Sequence, residues 1–519
     1  MKKNIFFFYG FFLLFIYVLG TYFSFTSGIS HDQFHENYNV ILNLQSIKDF
    51  FNNNNLNILS GYQDKFMGIG FSLLSYPFQI LISHLVKDFF SFTLLGVHYV
   101  TKNFIVFNFF FFSAYLIYLI FLDILNNKNA SFIASLLYLT YPVFFGHSLV
   151  NPKDIPFLVG WVICSFVSFR IAKNYLKEKS FSFKKIFLLS FFTAYLISIR
   201  FAGFLILAQY LFLLLILLNV EKIKFNEFVK KEIKKISFFV VNIFFFTFIL
   251  YPSIWSNPFD LYNGIVSSTK FYNDVCTYTF GKCIKASNLS ASYIPIWLLL
   301  KLPIIVLIGV PYFIFNEKKI LHNKINKLYL GTFILTAIFI YIFIIVFKVR
   351  IYNEIRHLLF FLNLILILGI ISIFYLSKKF FFILSIGSIA VFIAEIIYIH
   401  PYQYSWFNLP SRVINLQKNF QIDYWGVSNR NLYTYLKKNF ETHKSSCVYG
   451  DHYIEIFLNE FDCKKNFSEL NNAQKPFFIV QNLRYTYKSF PDCKLLYEEK
   501  FRLFFYNQDL IAGKIVMCS

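Results

Sequence analysis

"HSLVNPKDIPFLVGW", residues 147–161, sets a charged pair, Lys153–Asp154, between two long apolar runs, with Asn151, Pro152 and Pro156 around it. Asn and Pro are turn residues, and a proline in the first turn suits the start of a helix. The stretch therefore reads as a tight turn joining two apolar helices, with its charges at the membrane surface. Asp154 has two readings here. It could cap the helix that follows it, or it could be a functional carboxylate. The choice depends on which other polar groups share its side of the membrane.

Working outward, the chain of 519 residues is 57% hydrophobic and 15% charged, with 74 Phe and 36 Tyr. A soluble protein cannot hide so much apolar surface. Runs near or above about 18 apolar residues read as transmembrane helices. They fall at 4–27, 98–122, 131–149, 155–172, 186–199, 201–220, 236–255, 293–315, 328–347, 357–375 and 380–399, eleven spans in all. "MKKN" followed by an apolar run with no small-residue cleavage site predicts a first span that is retained. Residues 66–86 are apolar but interrupted by Ser72, Ser75, Pro77, Gln79, Ser83 and His84, which suits a helix lying in or dipping into the interface.

Charge gives the orientation. The loops 173–185, 221–235, 316–327 and 376–379 carry 17 Lys and share one side of an alternating topology. If 66–86 does not cross, Lys2 and Lys3 join that side. The positive-inside rule then predicts a cytoplasmic N-terminus and an extracytoplasmic C-terminus in the cytoplasmic membrane. The formal charge of +22 is explained by these loops, and no nucleic-acid partner is implied. Two parts follow: a membrane-embedded domain over 1–399 and an extracytoplasmic tail over 400–519. In the tail "LYTYLKKNF" reads as an amphipathic helix, and "PFFIVQNL" and "RLFFYNQ" read as strands, which predicts a small α/β domain. Cys276 and Cys283 share an outside loop; Cys447, Cys463, Cys493 and Cys518 lie in the tail. Even counts suit disulfides in an oxidising compartment, and reduced cysteines remain the alternative.

The acids and bases outside the lysine loops gather on the opposite face. "GISHDQFHENYN" places Asp32 and Glu36 four apart, hence on one face of a helix, with His31 and His35 on the adjoining face. The Lys153–Asp154 turn lies on that side. Arg200 stands at the junction of two apolar runs, and "KVRIYNEIRHLLF" adds Lys348, Arg350, Glu354, Arg356 and His357. "HPYQYSWFN" begins at His400, with Glu395 one turn below. Singly, Arg200, Arg350 and Arg356 read as snorkelling or interfacial anchors. Together, acids that can activate a nucleophile and cations that can hold an anion point to chemistry at the outer leaflet.

These motifs resemble those of the GT-C integral-membrane glycosyltransferases, the group of the protein O-mannosyltransferases and the lipid A aminoarabinose transferases (glycosyltransferase family 39-like). The resemblance rests on "SHDQFHE" after the first span, "YPVFFGHSLVNPKDIPF", "SIRFAGF" between spans five and six, "YNEIRHLLF", and "HPYQYSWFN" with "IDYWGVS". It covers roughly residues 1 to 430. It implies an all-α polytopic fold of about eleven transmembrane helices and a polyprenyl-phosphate-linked sugar as donor. Carried over, Asp32 is the catalytic base, Asp154 the second acid and Arg200 the basic residue after span five. Lys153, beside Asp154, departs from the family pattern and is assigned to the donor phosphate.

On this reading Asp32, Glu36 and Asp154 are the catalytic acids. Lys153, Arg200, Arg350, Arg356 and His357 hold the donor phosphate, and one displacement inverts the anomeric carbon. No cofactor is expected. A divalent ion could bind among the acids and the His pair, although no third ligand is identifiable. The partners expected are the polyprenyl-linked sugar, membrane lipid, and a glycan, lipid or protein acceptor. The alternatives are a transporter or flippase of lipid-linked sugars, which needs ionisable groups along a path through the bilayer, and an assembly protein anchored by its spans. Lys301 is the main charge inside a run.

Overall fold

The computed structural model describes residues 2–52, 59, 61–91, 93–269, 274–440, 445–450, 454–458, 461–473, 475–482 and 490–519. Its helices run back and forth between two polar ends. α1 (Lys2–Thr26) leads to α2 (His31–Phe51) and α3 (Gly70–Val86), and α4 (Leu94–Leu125) returns. α5 (Lys128–Thr140) and α6 (Pro142–Ser148) form one pass bent by 57°. The bend falls at Pro142, which lacks the N–H a continuous helix needs. α7 (Asp154–Glu178), α8 (Phe183–Ile199), α9 (Ile206–Glu221) and α10 (Phe225–Leu250) follow. Next come the surface helix α11 (Asp260–Thr269) and a hairpin of β1 (Cys276–Thr279) and β2 (Lys282–Lys285). α12 (Tyr293–Lys301) and α13 (Ile304–Ile320) make a second interrupted pass, broken around Pro303. α14 (Lys324–Val346), α15 (Leu359–Leu376) and α16 (Lys378–Tyr398) complete the bundle.

Among the described residues eight helices are long and apolar enough to cross a membrane, or nine if α5 and α6 count as one span. The chain is a multi-pass membrane protein. All eleven predicted segments fall on helices. The two short of the measure are α8, with 17 residues, and the α12–α13 pass, which Pro303 divides. Residues 66–86 yield α3, which packs on α4 and α8 with Ser72, Ser75, Gln79 and Ser83 buried. Its polar side chains are turned into the protein. α15 and α7 are central, with 89% and 78% of their apolar windows buried, whereas α1 and α10, at 22% and 17%, form the outer wall.

One end of the bundle carries the lysines. Lys179 and Lys324 both pair with Glu221, Lys231 donates to the Lys179 carbonyl, and Lys235 reaches Ser180 and Glu232. The other end carries the 147–154 turn. α7 joins the two, and its 25 residues make about 37 Å at 1.5 Å each.

The chain after α16 has two layers. Tyr402, Tyr404, Trp406, Phe407, Tyr424 and Trp425 share one apolar core with the membrane helices. This segment includes α17 (Leu416–Asn419). Beyond it stands a mixed five-stranded sheet in the order β4-β3-β5-β7-β6, made of β3 (Cys447–Gly450), β4 (Lys464–Asn466), β5 (Phe477–Asn482), β6 (Cys493–Phe501) and β7 (Leu510–Cys518). β3 runs parallel to β4 and β5, while β7 runs antiparallel to β5 and β6. α18 (Asn429–Asn439) lays Leu432, Tyr433 and Leu436 on Val448, Phe478, Val480 and Ile515, beside α19 (Ile454–Phe457).

"PFFIVQNL" supplies β5, as its pattern predicts. "RLFFYNQ" is not a strand but the connection between β6 and β7. Phe505 there holds a φ of 57°, and Arg502 pairs with Asp509 at 2.7 Å across the turn. Three disulfides form: Cys276–Cys283 in the hairpin, and Cys447–Cys463 and Cys493–Cys518 in the sheet domain. Cys164 is buried and free.

Candidate active site

The 147–154 turn is organised by Asn151. Its Oδ1 accepts the Lys153 and Asp154 N–H groups at 3.2 and 2.9 Å. These are unpartnered donors at the start of α7, so Asn151 supplies the capping interaction. Its Nδ2 donates to Asp154 Oδ2 at 2.9 Å and lies 3.0 Å from His147 Nδ1. The capping role considered for Asp154 therefore belongs to Asn151. The Asp154 carboxylate pairs instead with the Arg200 guanidinium, which α8 delivers at its C-terminal end.

α2 supplies the other two acids. Its entry is fixed by the Gln33 side chain, which accepts the Ser30 N–H at 2.9 Å. Asp32 and Glu36 then project one turn apart. Arg356 Nη1 donates to Asp32 Oδ2 at 2.7 Å, and Lys153 Nζ to Glu36 Oε1 at 2.6 Å. Ser72 of α3 donates to Glu36 Oε2 at 3.1 Å. The acids differ in access. The Asp32 side chain is 25% exposed, against 7% for Glu36 and 3% for Asp154. Arg200 is open to a similar degree, at 24%.

The pairs meet around Tyr352. Burial raises its phenol pKa, and the charges of Arg356, Asp32, Arg200 and Asp154 all act on it. The His357 ring stands edge-on to Tyr352, 4.5 Å between centroids. The Arg356 guanidinium is sandwiched, 5.1 Å from the Tyr352 ring and 4.4 Å from that of Trp425. Arg350 is half-buried and lies near Asp274. The Asp274 carboxyl is held below its ordinary range by hydrogen bonds from Ser287 first, with Arg350 contributing.

The segment after α16 closes the site. Trp425 accepts the His31 N–H at 3.2 Å, and the Tyr424 hydroxyl lies 3.2 Å from His147 Nε2. The approach is close. A Cβ on Gly28 would stand 2.2 Å from the Val427 carbonyl oxygen, and Gly426 holds a φ of 69° against His31. Asp423 accepts from Tyr404 and from the Val427 and Ser428 N–H groups, while Arg430 donates to the Phe25 and Ser27 carbonyls at the end of α1. Below the site Glu395 pairs with Arg412 and accepts from Trp406. His400 stacks on Phe23 at 4.0 Å.

One residue and one pairing here are not evident from sequence. Lys102 of α4 is buried, donates to Ser75 at 2.8 Å and lies within reach of the Glu36 charge. Lys301, which reads as a charge inside a span, ends α12 and pairs with Glu354 at 2.7 Å. Burial pushes the Glu354 carboxyl up to about 7, against the pull of Lys301. Asp32, Glu36, Asp154 and Glu354 thus meet Arg356, Lys153, Arg200 and Lys301 in four pairs, with Lys102 buried near Glu36. His31 is buried and His35 exposed, so the histidines are divided between two environments. Among the described residues no three His, Cys, Asp or Glu side chains converge as a metal set.

No family model matches the chain, and no curated protein matches it. Solved structures do. The chain is similar to ArnT from Cupriavidus metallidurans bound to undecaprenyl phosphate, with 100% of this chain and 98% of that one covered, 10% identity and a TM-score of 0.48. It is similar to ArnT of the same organism in the apo state, with 85% and 87% covered, 10% identity and a TM-score of 0.43. It is also similar to the apo Archaeoglobus fulgidus oligosaccharyltransferase, with 91% and 69% covered, 11% identity and a TM-score of 0.42.

Proposed function

We propose that the chain is an inverting GT-C-type glycosyltransferase that moves a sugar from a polyprenyl-phosphate donor to an acceptor at the outer face of the cytoplasmic membrane. The single observation that carries this reading is the gathering of Asp32, Asp154, Arg200 and Arg356 around Tyr352 at the end of the bundle away from the lysines. Asp32, the most accessible of the three acids, is the general base. It accepts the acceptor hydroxyl proton as that oxygen attacks the anomeric carbon and the bond to the lipid phosphate breaks. The phosphate takes up charge as it leaves. Arg200 is the accessible cation to receive it. Tyr352 and His357 wall the space. Glu36 and Asp154, both buried on their cations, hold those cations in place.

The orientation follows from the lysines, which the positive-inside rule assigns to the cytoplasm. A transporter would need ionisable groups along a path through the bilayer; here Lys301, the charge that a path reading requires, belongs to the end cluster. The experiment is transfer of radiolabelled sugar from polyprenyl phosphate by the purified chain to membrane-derived acceptors. Loss of donor label with gain in the acceptor supports the reading. Movement of intact sugar-lipid between leaflets without transfer overturns it.

A further inference from the structure

The loop over 347–355 carries Arg356 to Asp32, and its backbone is held in an unusual conformation. Asn353 and Glu354 have φ of 53° and 62° in succession, and both are buried. Residues with a Cβ avoid this region unless their surroundings hold them there. The hold on Glu354 comes twice from α12. Its carboxylate meets Lys301 Nζ at 2.7 Å, and its carbonyl accepts the Tyr293 hydroxyl at 2.9 Å.

Lys301 is itself fixed. Its ammonium lies 4.0 Å from the Phe407 ring centroid, and its carbonyl accepts the Tyr141 hydroxyl at 2.6 Å. Asn408 holds the next turn of chain, donating to the Leu302 carbonyl at 2.8 Å. The helix break at Leu302–Pro303 lets Lys301 end its helix there. Both side chains are buried, at 0% and 4% exposure. A buried ion pair is a poor source of stability, since apolar residues of similar volume often serve as well or better. What this one does is tie the left-handed turn to a rigid helix two residues before Arg356.

We infer that Lys301 and Glu354 are positioning residues, a buried clamp that sets the 347–355 turn so that Arg356 meets Asp32. The inference rests on the reading of Asp32 as general base. Arg200 comes from α8 and does not depend on the turn. Loss of the clamp should therefore reduce turnover while leaving donor binding nearly intact.

The test is Lys301→Met/Glu354→Met, which removes both charges, keeps the volume and leaves no unpaired ion. Folded yield should stay near wild type, while kcat falls about 10- to 100-fold, the cost of a misplaced catalytic group. The donor KM should shift by less than about twofold, because uniform binding is untouched. Hydrogen exchange by mass spectrometry should show faster exchange in peptides over 347–356 and no change in α15. Wild-type kcat and wild-type exchange in a folded double variant would overturn the clamp. If that variant fails to fold, Glu354→Asp keeps the charge and shortens its reach, and slow exchange with full kcat there would equally overturn it. A wild-type chain that transfers no sugar would sink the reading of Asp32, and exchange alone would then decide the clamp.

Discussion

Asp32 and Glu36 sit one turn apart on α2, yet their surroundings predict opposite failures when each is neutralised. In Asp32→Asn the side chain keeps its shape and one face toward Arg356; Asp32 is 25% exposed, and Arg356, at 3%, keeps the amide oxygen as an acceptor and its two aromatic faces. A pair open on one side should lose less stability than one buried on both, so the folded yield should stay above that of Glu36→Gln. What goes, on the proposed mechanism, is the proton acceptor, and removal of a general base typically costs ~10²–10⁴-fold in rate. Glu36→Gln is different. Its carboxylate meets Lys153 at 2.6 Å and Ser72 at 3.1 Å, with Lys153 and Glu36 side chains 10% and 7% exposed. Removing one partner of a buried pair costs ~3–5 kcal/mol. Against a total stability of roughly 5–15 kcal/mol, that loss should appear in the amount of folded protein. The assay measures initial transfer rates at saturating donor, normalised to monodisperse protein from size exclusion. Asp32→Asn should be well folded and nearly inactive; Glu36→Gln should be poorly recovered, with its folded fraction keeping much of its turnover. A well-folded Glu36→Gln that loses ~10³-fold in rate beside an active Asp32→Asn would reverse the two roles.

Arg200→Ala should weaken binding of polyprenyl phosphate by about 10-fold or more, the scale of a hydrogen bond to a charged group, and unchanged affinity would remove Arg200 from the phosphate site. Asp154→Ala should lower turnover more than folded yield; equal losses would leave Asp154 a purely structural partner of Arg200. Glu354, near 7 when folded against an ordinary value of 4.5, binds its proton more tightly in the folded chain. Its contribution is complete below about 4.5 and lost as pH rises through 7, so the thermal midpoint should fall between pH 5 and 8, and Glu354→Gln should flatten that slope. A slope the substitution leaves unchanged would assign the pH dependence to other groups. For orientation, cysteines at Asn507 and Lys230, both exposed, should react with an impermeant reagent in intact cells only at 507. Ser428 is buried against Ala512 and would report nothing; labelling at 230 would invert the topology.

The helices were legible because membrane-length apolar runs and lysine loops repeat a simple pattern that needs no tertiary information. The turn at 147–154 was legible too, since Asn and Pro act locally. The pairing was not. Arg356 lies 324 residues from Asp32 and Lys153 lies 117 from Glu36, so which cation meets which acid depends on how helices pack. Lys102 hid inside an apolar stretch, and Lys301, visible as a charge inside a run, gave no sign of its partner Glu354. Trp425 stood in a quoted motif, but its role depends on Gly28 and Gly426 letting two distant strands of chain approach. The connection at 502–508 misled because its apolar residues follow strand spacing, while Phe505 turns the backbone aside.

The closure of the site by residues 424–427 has a consequence for how the protein is made. A ribosome synthesises α16 and all the helices before it, and with them each acid and cation of the cluster, before Trp425 exists. Until that residue arrives, Arg356 lacks one of its two aromatic faces and the His31 N–H lacks its acceptor. A nascent chain stalled after α16 would be fully inserted and carry every charged group of the centre, yet remain unfinished. Activity would then be withheld from partial products by the order of synthesis itself, and would begin only when residues 424–427 folded back onto α2.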